Sequence, residues 1–248
     1  MNLLLYLLAV VRGIFAFGIM SLFITAYGIS CIFIPHTKER ALKLRENYLK
    51  YIGIPILNIH IEKQGNPIST PALYVSNHRS FTDPAVACRY LPAFVLAKAE
   101  VANYPIINKG AELTGVIWVN RNDKTSRTAA RSKLTDTILS GYNILLYPEG
   151  TVGKDAGTLP FRVGSFTEAA ENNIPVVPIA IEYKSHKDLW VKEKFVPQYL
   201  FQFSKWRTQV RIRFGTPITD NDGEILCSKS YTWINEQLKE MRQDWAEH

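Results

Sequence analysis

The stretch Ala72-Leu73-Tyr74-Val75-Ser76-Asn77-His78-Arg79-Ser80-Phe81-Thr82-Asp83-Pro84 runs an apolar segment straight into a polar block. On one continuous helix, His78 and Asp83 would lie about 140° apart and face different sides. Pro84 disfavours helical geometry at Asp83 and suits the first turn of a new helix. His78 and Asp83 therefore bracket a turn between a strand end and a helix start, which brings imidazole and carboxylate within reach of each other. A carboxylate on one ring nitrogen leaves the other free to act as a base near neutral pH. Asp83 has a second reading as a helix cap, and His78 as an ordinary turn histidine.

Working outward, the same alternation of short apolar runs and helical stretches continues past residue 50. Candidate strands are 56–61, 73–76, 94–96, 116–119, 144–147, 176–181 and 210–214, with helical segments at 125–140 and 165–172. Leu134 and Ile138 share a face of the first helical segment; Phe166, Ala169 and Ala170 share one of the second. Ile234, Leu238, Met241 and Trp245 form a helical stripe near the C-terminus. Pro178 cannot donate to a ladder, so its strand reads as an edge, a bulge or a strand start. The expected fold class is α/β, a largely parallel central sheet flanked by helices. Ligand sites in such sheets gather at the carboxyl ends of strands. Three polar groups fall at such ends: His78 to Asp83, Arg121, and Glu149-Gly150-Thr151.

With 248 residues and 47% hydrophobic content, the chain is long enough for one sizeable core. Its three cysteines, Cys31, Cys88 and Cys227, are widely spaced, which argues against a disulfide framework or a cysteine zinc site. No metal site is expected. A net charge of +7 favours polyanionic surroundings, such as anionic headgroups or phosphorylated substrates. Residues 13–34 are uncharged and mostly apolar, about 33 Å long as a helix and enough to cross a bilayer core of about 30 Å. A second apolar run, 3–11, precedes them across Arg12. Lys38, Arg40, Lys43 and Arg45 follow, which favours keeping the rest of the chain cytoplasmic. The expected organisation is N-terminal membrane-anchoring helices over 1–50 and an α/β domain over 51–248, with spanning and interfacial anchors both open.

Four segments in order resemble the glycerolipid acyltransferases, most closely bacterial 1-acyl-sn-glycerol-3-phosphate acyltransferases. The family shows an Asn-His-x-Ser-x-x-Asp block, here Asn77 to Asp83 with its His-x4-Asp core. It then has a strand ending in arginine (115–121), a Pro-Glu-Gly-Thr block (147–151) and a proline-containing apolar strand (176–181). Residues 159–166 resemble the loop-to-helix element after the third block. The chain departs at Asn120-Arg121, where Asp-Arg is usual, and at Val152-Gly153-Lys154, where Arg-Ser is usual; Lys154 and Arg162 are the cations available to substitute.

The resemblance implies transfer of a fatty acyl group from acyl-CoA or acyl carrier protein to the free hydroxyl of a lysophospholipid, in phospholipid biosynthesis, with no cofactor. Lysophosphatidate giving phosphatidate is the first expectation. It makes His78 the general base and Asp83 its orienting partner, with Asn77, Ser80, Arg121, Glu149, Gly150, Thr151, Lys154 and Arg162 binding substrate. It also implies a bacterial inner-membrane enzyme working on the cytoplasmic side, in contact with membrane lipid. Two alternatives stand beside it: a membrane-associated acyl thioesterase, and a non-catalytic lipid-binding protein using the aromatic and basic residues of 185–207. No nucleic-acid partner is expected, because these residues match no recognised module.

Overall fold

The structure is a computed structural model and describes residues 3–99, 114–119, 124–243 and 245. All seven expected strands form: β1 Ile59–Gln64, β2 Leu73–Ser76, β3 Ala93–Lys98, β4 Val116–Val119, β5 Asn143–Leu146, β6 Val176–Tyr183 and β7 Thr208–Phe214. They make one sheet in the order β1-β7-β6-β2-β5-β3-β4. Every neighbouring pair is parallel except β6 with β7. The first strand starts three residues later than its apolar run, because Ile54–Ile56 is a helical turn (α3).

Alternation along the strands sends side chains to two helical layers. Leu73, Val75, Ile144 and Leu146 pack with Leu134 and Ile138 of α5 (Lys124–Leu139), Phe166 and Ala169 of α6 (Gly164–Glu171), and Leu226 of α8 (Gly223–Gln243). On the other face Tyr74, Leu145, Val177 and Ile212 meet Val86 and Ala87 of α4 (Asp83–Cys88) and Tyr199 and Phe203 of α7 (Phe195–Phe203). The C-terminal stripe is as expected for Ile234, Leu238 and Met241, all buried. Trp245 leaves it and lies under the Arg211 guanidinium, 4.4 Å from the ring centroid. Cys88 and Cys227 are buried free thiols, and Cys31 is half-buried.

Pro178 sits in a strand with neighbours on both sides, not at a sheet edge. The reason is local. The Pro178 carbonyl accepts from Gly215 N–H at 2.8 Å, on the β7 side, and the β6–β7 ladder begins only at Ile179 opposite Phe214. The missing N–H falls just past the regular β6–β7 ladder, where the register slips by one residue before Val176 pairs with Ile218, so the proline sits at the expected bulge.

The two N-terminal apolar runs form one helix, α1 (Leu3–Phe33), continuous through Arg12. Arg12 is buried because its guanidinium donates to the Lys205 carbonyl at 2.8 Å and the Trp206 carbonyl at 2.7 Å. Tyr199 and Tyr48 donate to the Ala9 and Ala16 carbonyls at 3.0 and 2.8 Å, and Phe17 packs edge-on against Phe195 and Tyr199. One face of α1 is thus docked, while Leu4, Leu7, Ile14, Leu22, Ile29 and Phe33 remain exposed on the outside. The helix is long and apolar enough to cross a membrane. The basic segment that follows is α2 (Lys38–Tyr48), with Thr37 as its N-cap accepting from Arg40 N–H.

Candidate active site

Parallel pairing brings the carboxyl ends of β2, β5 and β6 to one rim of the sheet, and the site is built there. The chain leaves β2 at Ser76 and re-enters helix at Asp83. The Asp83 carboxylate folds the intervening loop back on itself: Oδ2 accepts from Arg79 N–H at 2.6 Å, Ser80 N–H at 2.9 Å and His78 Nδ1 at 2.7 Å. Oδ1 accepts from the Tyr183 hydroxyl at 2.7 Å. Asp83 is the first residue of α4, yet its carboxylate organises the loop before the helix and not the helix end. The expected His78–Asp83 pair is therefore present. His78 keeps 21% of its side chain exposed while Asp83 keeps none. With Nδ1–H donated to Asp83, Nε2 is left as the lone-pair nitrogen.

The His78 ring stacks on Tyr147, with centroids 4.2 Å apart and planes 25° from parallel. The Tyr147 hydroxyl is buried with no hydrogen-bond partner among the described residues. Burial first, then the charge of Asp83, pushes that phenol well above its ordinary value. Tyr147 is a hydrophobic plate under the imidazole, and it stays neutral.

Glu149 lies behind the histidine. Its Oε1 accepts from His78 N–H at 2.7 Å and its Oε2 from Leu159 N–H at 2.8 Å. Gly153 N–H donates to the His78 carbonyl at 2.8 Å, so His78 is gripped on both backbone sides by the 149–159 loop. Burial raises the Glu149 carboxyl above its usual range, while the Leu159 and His78 N–H groups and the Arg79 charge pull it back. Both oxygens are spent on backbone donors, so the carboxylate faces the scaffold.

Asn77 is likewise internal: it clips β6 by accepting from Ile181 N–H and donating to the Ile181 carbonyl, both at 2.8 Å. Ser80 is fully buried, its hydroxyl 3.3 Å from Gln202 Oε1 and 3.0 Å from Thr82 Oγ1. Arg79, absent from the expected set, is buried and ties the loop to the Ala156 carbonyl at 2.9 Å, to the Asp155 carbonyl and to Glu182 at 3.4 Å. Sequence spacing gives little signal for these inward roles, because apart from Thr82 the partners come from elements distant in the chain.

Gly150 has φ +74°, a left-handed conformation, and a Cβ there would sit 3.1 Å from the Arg162 guanidinium. Arg162 N–H is pinned to the Pro148 carbonyl at 3.0 Å. Arg131 of α5 brings its guanidinium over Gly164, where a Cβ would meet it at 3.0 Å. Both arginines line a cleft of about 140 Å³ with Tyr147, Gly150 and Ser165. Thr151 and Lys154 are exposed on the loop that follows. Arg121 and Asn120 lie outside the described residues. Arg131 was missed from sequence because a helical arginine without a neighbouring motif reads as solvated surface.

On the other side of the His78 loop is a second, larger cavity of about 350 Å³, almost wholly apolar. Phe81, Thr82 and Pro84 form one wall, Trp118 another, and Phe17 and Met20 of α1 a third. The rings of 185–207 divide: Tyr199 and Phe203 are core, Phe195 lines this cavity, and Trp206 is exposed. Among the described residues there is no cluster of histidine, cysteine and carboxylate side chains able to hold a metal ion.

A family model described as Acyltransferase matches residues 57–182, half of the chain. A chloroplastic 1-acyl-sn-glycerol-3-phosphate acyltransferase of Arabidopsis thaliana is 28% identical over 92% of this chain and 63% of its own length. A lyso-ornithine lipid O-acyltransferase of Pseudomonas aeruginosa is 30% identical over 52% of this chain and 49% of its own. The chain thus spans less than two thirds of the length of these curated relatives. The crystal structure of the 1-acyl-sn-glycerophosphate acyltransferase PlsC from Thermotoga maritima shares the fold, with a TM-score of 0.70 at 20% identity over 98% of this chain and 96% of that one.

Proposed function

The chain belongs to the acyltransferase family, and from that premise we propose that it moves a fatty acyl group from a thioester carrier to the free hydroxyl of a lysophospholipid. Lysophosphatidate is the first acceptor, and phosphatidate the product. The observation that carries this reading is the His78 Nδ1–Asp83 Oδ2 bond at 2.7 Å, on an imidazole that keeps 21% of its side chain exposed and stacks on Tyr147 of the cleft wall.

A hydroxyl is a poor nucleophile at neutral pH, so its proton must leave as it attacks. Nε2 of His78 takes that proton while the alcohol oxygen bonds to the thioester carbonyl carbon. Asp83 holds the tautomer and stabilises the imidazolium. The tetrahedral intermediate then expels the thiolate, which recovers the proton from His78; one C–O bond has formed and one C–S bond has broken. No covalent acyl-enzyme is required. The apolar cavity beside Phe81 and Trp118 is suited to the acyl chain, and Arg131 and Arg162 to the acceptor phosphate, since planar guanidinium forks match phosphate oxygens. Arg121 and Lys154 are further phosphate ligands in this reading. Gly150 and Thr151 border the acceptor, while Asn77, Ser80 and Glu149 act by holding the wall. The exposed apolar face of α1 seats the molecule in the membrane that supplies both amphiphilic substrates, with the sheet domain on the cytoplasmic side.

The test is turnover of purified protein in detergent, with acyl-CoA and acyl carrier protein donors against a panel of acceptors. Ester formation that requires a lysolipid, fastest with lysophosphatidate, is expected. Preference for lyso-ornithine lipid would reassign the acceptor, as the Pseudomonas relative's name suggests for that protein. Free fatty acid released without any lysolipid dependence overturns the transferase reading in favour of a thioesterase.

A further inference from the structure

We propose that Tyr183 is a positioning residue for the catalytic base, acting through Asp83; this rests on the acyl-transfer reading above. Its place follows from the sheet. β6 runs past the end of β2, whose last residue Ser76 pairs with Ile179, so β6 continues for four more residues beside the 77–83 loop. Asn77 locks the loop to this overhang through both backbone groups of Ile181. Tyr183, the last residue of β6 and 5% exposed, then delivers its hydroxyl to Asp83 Oδ1 at 2.7 Å and to Thr82 Oγ1 at 2.9 Å.

Among the described residues Asp83 has four donors, and they divide unequally. Three of them hold Oδ2: His78 Nδ1, Arg79 N–H and Ser80 N–H. Among the described residues, Tyr183 alone holds Oδ1. A carboxylate pinned by one oxygen can turn about its Cβ–Cγ bond; one pinned by both cannot. The phenol thus fixes the plane in which Oδ2 faces Nδ1, and its proton stays in place because burial and the Asp83 charge hold the hydroxyl well above its ordinary value. The tyrosine is buried away from the cleft, so it touches no reacting atom. Its effect falls on the alignment of the imidazole in the transition state, and so on kcat and not on substrate binding.

Tyr183→Phe keeps the ring and deletes the donor; Tyr183→Met fills the space if the first variant does not fold. Steady-state kinetics with acyl-CoA and lysophosphatidate should give a kcat roughly 10-fold lower, the scale of one lost buried hydrogen bond, with both KM values within about twofold. The same change made on an Asp83→Asn background should cost less than about twofold further, because the route through the carboxylate is already cut. Wild-type kcat in Tyr183→Phe, a loss confined to KM, or a full 10-fold loss persisting on the Asp83→Asn background each overturns the proposal. Undiminished activity in Asp83→Asn itself would instead defeat the acyl-transfer base assignment, which separates the two failures.

Discussion

At the scale of single residues, the site is a set of backbone and side-chain donors aimed at two carboxylates. Asp83 accepts from its own loop and from the Tyr183 hydroxyl, and Glu149 accepts from the backbone of His78 and from Leu159. The His78–Asp83 pairing was legible in the sequence because the two lie five positions apart and Pro84 dictates the turn, whereas the Tyr183 bond to the same carboxylate was not. Nor were the Glu149 bonds, since a Pro-Glu-Gly turn carries no sign of which N–H groups its carboxylate will meet. Glu149→Ala leaves two part-buried N–H groups without their charged acceptor, a cost of up to about 1–3 kcal/mol for each unsatisfied group. We expect a clear fall in Tm together with reduced kcat, read by thermal melting and kinetics. Activity lost only through a raised acceptor KM, with Tm unchanged, would make Glu149 a substrate ligand instead. Asp83→Asn should lower kcat by at least about 10²-fold through the wrong imidazole tautomer, since Asn offers both a donor and an acceptor to Nδ1.

Among elements, β2 to β7 were readable to within two residues at each end, because strands buried on both faces are largely apolar runs bounded by turns, while the edge strand β1 was expected three residues early. Two features were not. The charge of Arg12 splits the N-terminal apolar run in the sequence, but the Lys205 and Trp206 carbonyls absorb it and the helix runs on. Pro178 left an edge, a bulge and a strand start open, and the one-residue slip beside β7 decides for the bulge. Helix packing supplies a test of its own. Gly223 opens α8 against α6, and a Cβ there would lie 2.5 Å from the Thr167 backbone nitrogen. Gly223→Ala must therefore push the two helices apart, costing roughly 1–3 kcal/mol by overpacking. At this chain length that is a Tm lowered by several degrees, about 2–4 °C per kcal/mol. An unchanged Tm would mean that α6 and α8 are not held this closely.

Across the whole molecule, α1 is the element that the proposed function sets between the cleft and the membrane. Its inner face lines the apolar cavity through Phe17 and Met20, while its outer face exposes Leu22 and Ile29. Replacing both Leu22 and Ile29 with Asp should weaken co-sedimentation with anionic vesicles at least about tenfold and leave Tm nearly unchanged, because neither side chain contributes to the core. Undiminished vesicle binding would show that another surface makes the contact. The basic charge balance pointed toward an anionic partner, but only the docking of α1 on α7 shows which apolar face of α1 stays exposed. The proposed chemistry depends on the imidazole beside Tyr147. The most direct measurement is the turnover of His78→Ala with acyl-CoA and lysophosphatidate in detergent, following thiol release and ester formation together. The predicted result is a fall of at least about 10²-fold in kcat in a variant that still melts cooperatively. A variant turning over within about threefold of wild type would contradict His78 as the base, and with it the chemistry assigned to the cleft.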